Sequence, residues 1–88
     1  MPTVDIDLAP GQHRYVRWEN PHKRRYYEVR LQQNLFEEWE LYCAWGGIGT
    51  NLGNAKSHPA SSHEEAAEYL RQIAIRRKRH KYVLVREK

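Results

Sequence analysis

Cysteine is almost missing from this chain of 88 residues, with Cys43 standing alone. A disulfide within the chain is therefore excluded, and so is a cysteine-based zinc finger. No apolar run approaches the roughly 18 residues of a membrane span. Met1 to Gly11 carries two Asp and no Lys or Arg, which is the reverse of a secretory signal's cationic start. The expectation is a soluble cytoplasmic domain without membrane contact. No two of the five histidines stand four apart on a helix, so no metal is expected. His58 and His63 straddle a Pro-Ala-Ser-Ser loop and read as surface histidines.

Signatures of catalysis are lacking too. Gly47-Ile48-Gly49 would need glycine at position 52 to make a dinucleotide fingerprint, and Leu52 stands there. No Gly-Lys-Ser/Thr makes a phosphate loop. Glu37, Glu38 and Glu40 crowd one short stretch, and neighbours there point to opposite faces, so no carboxylate pair converges. Cys43 falls mid-strand beside apolar residues and reads as an inert buried thiol. An enzyme is not expected, and neither is a cofactor or a small-molecule substrate.

What the chain does have is rings and cations. Hydrophobic residues make up 40% and aromatic residues 11%, with three Trp and six Tyr. A chain of this size buries roughly 60–65% of its unfolded surface, enough for one aromatic-rich core and no second one. The net charge is +4, and it is localised. Residues 1–60 balance seven basic against seven acidic side chains, whereas residues 61–88 hold eight against four. Between Arg71 and Lys81 there are six basic residues and no acid. Cations at the end of a helix complement its dipole, and a basic stripe also fits a polyanion partner.

Residues 1–12 read as an N-terminal tail or an edge strand, given the alternation Val4-Asp5-Ile6-Asp7-Leu8, and residues 13–86 as a single domain. His13 to Glu19 and Arg24 to Gln32 are predicted strands, separated by an Asn20-Pro21-His22-Lys23 turn. In the second strand Tyr27, Val29 and Leu31 share one face, and Tyr26, Glu28 and Arg30 share the other. Gln33-Asn34 is a predicted short hairpin turn, leading to a third strand over Phe36 to Trp45. Gly46-Gly47-Ile48-Gly49 predicts a bulge or tight corner. Thr50 to Pro59 continues extended, with a kink at Gly53-Asn54. Ser61…Glu64 and Ser62…Glu65 are overlapping capping boxes. They open a helix from Ser62 to His80 with an apolar stripe of Ala66, Ala67, Leu70, Ile73, Ala74 and the stem of Arg77. Tyr82 to Arg86 is a final strand. The fold class is α+β: a twisted antiparallel sheet with one long helix packed across it.

Basic and aromatic residues interleave, as phosphate contact and stacking require. Arg24 and Arg25 open the second strand. Tyr42 and Trp45 approach the glycine corner, and Lys56 leaves it. Arg76, Arg77, Lys78, Arg79 and Lys81 crowd the helix end. By parity Trp45 belongs with Trp39 and Leu41 in the core. The aromatic supply, in excess of one small core, equally allows it to be exposed.

Arg25-Tyr26-Tyr27, Trp45-Gly46-Gly47-Ile48-Gly49, Gly53-Asn54, Ser62 to Ala67 and Lys81-Tyr82 occur in an order and spacing that resembles the WGR domain across residues 13–86. The chain is similar to the small stand-alone bacterial members. The resemblance implies a WGR-like α+β fold and binding to DNA, as in the poly(ADP-ribose) polymerases. There the domain lies near strand breaks and its signature Trp packs on sugar, a role that would fall to Trp45. Gly46 and Gly47 complete the signature, with Gly47 where the family has Arg, and Asn54 stands for the usual Gln. The expected function is thus a non-enzymatic, weak and largely sequence-independent nucleic-acid-binding module, with DNA favoured and RNA open. The alternative is a protein-interaction module whose sheet face docks a partner.

Overall fold

A computed structural model describes residues 11–51 and 53–88. The expectation for residues 1–12 therefore lies largely outside the described residues. Among the described residues, five strands and one helix follow in the order β1 (Arg14–Asn20), β2 (Arg25–Gln33), β3 (Trp39–Gly47), β4 (Gly53–Pro59), α1 (His63–Arg79) and β5 (Val83–Glu87). The sheet order is β4-β3-β2-β1-β5, and every pairing is antiparallel. Strands β1 to β4 form a meander. The chain leaves at the β4 edge and must cross the sheet to pair β5 with β1. Five strands spaced about 4.8 Å apart put the two edges about 19 Å from each other. The 17 residues of α1 span about 25 Å, so one helix suffices for the crossing.

Alternation decides which face the helix covers. Val16 and Trp18, Val29 and Leu31, and Leu41 and Cys43 point to one side and are buried. Ala66, Leu70 and Ala74 of α1 close over them. The small alanines let the helix approach the sheet closely, while Leu70 fills the space between them. The opposite face stays solvated and is knitted by charge. Arg17 donates to Glu19 and Glu28, both at 2.9 Å, and the Tyr15 hydroxyl donates to Glu28 at 2.5 Å. Arg17 lies over the Tyr26 ring and Arg30 over the Tyr15 ring. The α+β expectation therefore holds.

Three readings of the strands and their connections need correction. The β2–β3 connection is a five-residue loop, 34–38, and not a two-residue turn, so β3 begins at Trp39 instead of Phe36. The Asn34 carboxamide oxygen accepts from the amides of Phe36 and Glu38, and Glu37 takes φ 62°. An Asn side chain that captures nearby amides in this way builds a loop in place of a strand. Gly46 and Gly47 form no corner. They continue β3, opposite Tyr26 and Arg25, and the reversal comes after them, with Gly49 at φ 77°. Gly53 makes no kink but starts β4 regularly. A Cβ there would lie 2.8 Å from the Trp45 carbonyl oxygen, which explains its glycine.

The helix is capped by Ser62, whose hydroxyl accepts from the Glu65 amide at 3.0 Å. Glu65 reaches back to the Ser61 amide at 2.8 Å, one residue before the cap, so the two predicted boxes merge into one brace that uses both serines and Glu65. At the other end, Asn20 is buried and bridges two elements. Its side-chain NH2 donates to the His80 carbonyl, and its oxygen accepts from the Lys23 amide. Asn20 thereby ties the β1–β2 turn to the helix C-terminus, which sets the walls of the site described next.

Candidate nucleic-acid interface

Trp45 and Tyr27 are direct cross-strand partners on the helix side of the sheet. Their rings stack, with centroids 5.8 Å apart and planes 13° from parallel. Both pack against the core, and both are only half-buried. The last turn of α1 brings Arg77 down onto them. Its guanidinium carbon lies 4.4 Å from the Tyr27 ring centre and 4.9 Å from that of Tyr82. A guanidinium between two rings gains from both faces, about 0.5–2 kcal/mol each. Its Nε is buried and has no hydrogen-bond partner among the described residues.

Arg25 completes the wall. It pairs with Gly47 across β2 and β3, and glycine leaves the guanidinium free space on that side. Arg25, Tyr27, Trp45, Arg77 and Tyr82 line an open hollow of about 250 Å³. A second hollow shares Arg25, Arg77 and Tyr82 with it and adds Asn20, Lys23 and His80. Together they form a trough with aromatic walls, two arginines and a lysine, and no carboxylate among the described residues that line it. Burial first, and then the neighbouring Cys43, push the Tyr27 hydroxyl up to about 12 against the pull of Arg77 and Arg76. Burial also raises the Cys43 thiol. Neither group ionises near neutrality, so the trough keeps its positive sign.

The residues singled out from sequence divide among three surfaces. Trp45, Arg25 and Arg77 meet at the trough, whereas Gly47 pairs with Arg25 beside it and Gly46 is buried in β3 opposite Tyr26, and neither glycine lines a hollow. Arg24 is exposed in the β1–β2 turn at φ 54°, and its carbonyl accepts from the Ile48 amide. Lys56 pairs with Cys43 on the outlying strand β4 and faces the helix side, yet lines neither hollow. Arg76 borders a separate groove with His58, Pro59, Tyr69, Ile73 and Leu41, joined to the trough through Tyr27. Lys78, Arg79 and Lys81 are exposed. At 100° per residue, two steps from Arg77 carry Arg79 to the far side of the helix. Tyr42 is the clear departure. It pairs with Arg30 and alternates with buried Leu41 and Cys43, so it belongs to the solvated face and not beside Trp45.

Sequence reading missed Tyr27, Tyr82 and Lys23 as site residues. The signal was present in Arg77, whose stem falls on the apolar stripe. A cation that faces a sheet must find rings or acids there, and the strands beneath supply tyrosines. Among the described residues, no three His, Cys, Asp or Glu side chains cluster as a metal would require. No helix among them is long and apolar enough to cross a membrane.

A five-stranded antiparallel sheet crossed by one helix, with a cationic, aromatic trough under the helix end, defines a small α+β module. The WGR domain model matches residues 11–88, and the chain belongs to that family. No curated protein and no solved structure matches it.

Proposed function

We propose that the chain is a non-enzymatic nucleic-acid-binding module with DNA as its partner. The observation that carries this reading is the trough. Arg25, Arg77 and Lys23 stand around Trp45, Tyr27 and Tyr82 with no acid among them. Cations bind phosphate whatever the sequence, and rings take sugars or bases without reading them. Membership of the WGR family, a family of nucleic-acid-binding modules, supports the same class. Binding is weak, salt-dependent and largely sequence-blind. Neutralising about four phosphates gives a log–log salt slope of about −3.6 on duplex DNA.

The test is fluorescence anisotropy on a labelled duplex, its single strand and the matching RNA strand. Salt is set at roughly 50 and 200 mM, the range in which phosphate contacts declare themselves. Trp45→Ala should weaken binding by about 1–3 kcal/mol if a sugar or base packs there. Arg25→Ala should weaken it and flatten the salt slope by about 0.9. Absence of binding at the lower salt overturns the proposal and favours a protein partner instead.

A further inference from the structure

The β2–β3 loop presents its two apolar residues outward. Leu35 is 98% exposed and Phe36 82% exposed. Single exposed apolar side chains are ordinary, but adjacent ones held on a fixed frame are not. The frame is dense. Asn34 donates its own amide to the Glu38 carbonyl and accepts from Phe36 and Glu38 through its side chain. Its NH2 reaches a Glu38 carboxylate oxygen, and Gln33 donates to the Glu37 carbonyl. A knob fixed in this way has little ordering entropy left to lose on docking. Glu37 and Glu38 follow it directly, and no Lys or Arg occurs from Leu31 to Ala55. The tip is the acidic, apolar end of a basic protein.

A matching receptor lies on the same chain. The groove between α1 and β4 has an apolar floor of Leu41 and Ile73, walls of Tyr69 and Pro59, and Arg76 and His58 at its rim. Its volume is about 300 Å³, which is room for the ends of a Leu-Phe pair. We infer that two copies of this chain dock reciprocally, the Leu35–Phe36 knob of each seated in the α1–β4 groove of the other.

Position and size both support exchange. Leu41 is three residues from the loop, about 10 Å along β3, so knob and groove lie close enough for one two-fold axis to serve both. An aromatic ring buries at least about 150 Å². One knob with its Leu, and the groove it covers, therefore accounts for about 600 Å² in all, the size of a casual contact. Doubling by symmetry brings this to about 1,200 Å², the lower end of specific interfaces. Glu37 then faces Arg76 of the other copy.

Sedimentation equilibrium without nucleic acid tests this on the full chain, from about 5 to several hundred micromolar. Wild type should move from 10.6 kDa toward twice that mass as concentration rises. Leu35→Ser with Phe36→Ser should weaken association about tenfold or more. Circular dichroism checks that this variant folds, which its exposed positions favour. Glu37→Lys and Arg76→Glu should each weaken association, and the double variant should restore it. A wild type that stays monomeric throughout overturns the inference. So does a dimer indifferent to the loop substitutions, which would direct attention to the exposed Val83–Val85 edge. Loss with the loop variant but no rescue by the charge exchange overturns the groove as receptor.

Discussion

Arg77 carries two duties that substitution can separate. Its stem covers the core, and its charge sits between Tyr27 and Tyr82. Arg77→Met keeps a long apolar stem and replaces each cation–ring attraction with a sulfur–ring contact of comparable size, so folding stability should stay within about 1 kcal/mol of wild type. DNA affinity should nonetheless fall, with one phosphate's share of the salt slope, about 0.9, lost. Thermal melts and salt titrations of the same sample decide this, and equal damage to both would mean that the charge is structural. Gly47 poses the complementary question. A Cβ there would meet the Thr50 hydroxyl oxygen at 3.2 Å, and its φ is not positive, so Thr50 need only yield slightly. Gly47→Arg should fold, should sit beside Arg25, and should strengthen DNA binding while steepening the salt slope by about 0.9. An unchanged slope would show that the trough does not hold phosphate at that corner. Trp45 illustrates what was legible at this scale. Parity assigned it to the core and ring supply to the surface, and it is half-buried because α1 ends above it. Neither rule contains the place where a helix stops relative to a strand beneath it.

At the scale of elements, the helix and the strand alternation were readable because caps, charge order and period agree. The Asn34 loop was not, since nothing local says whether an Asn bonds backbone amides or yields to a strand. The solvated sheet face was legible only as polar, and its wiring came from cross-strand register. Glu28 sits in the middle of that wiring. Burial pushes its carboxyl up. Hydrogen bonds from Tyr15 and Arg17, with the attraction of Arg17 and Arg30, outweigh burial and hold it below the usual range. A folded value below the unfolded one, about 4.3, means that its contribution is complete above that pH. The contribution is lost as pH falls through the lower folded value. Glu28→Gln should therefore cost about 1 kcal/mol at pH 7. The gap to wild type should close between pH 4.3 and the folded value. Urea midpoints from pH 7 to 3 read this directly. A gap that persists at pH 3 would assign the loss to packing and not to charge.

For the whole molecule, the same hairpin carries opposite charges at its two ends. The Arg25 and Trp45 end of β2 and β3 borders the cationic trough, and the 34–38 end carries Glu37 and Glu38. Nine residues of β2 separate them by about 30 Å. Net charge of +4 conceals this polarity, which appears only once the strands are paired. DNA held at the trough should feel the distant acids only where salt does not screen them. The Debye length is about 8 Å at 0.15 M and about 30 Å at 0.01 M. Glu37→Gln with Glu38→Gln should leave DNA affinity unchanged at the higher salt and raise it at the lower. A similar rise at both would mean that the loop lies within a Debye length of bound DNA. The duplex would then run along the hairpin and not across its basic end. Because Gln can still accept from the Asn34 side chain, the loop keeps its shape in this variant. Any change in binding then reports the field of the two carboxylates and not a refolded tip.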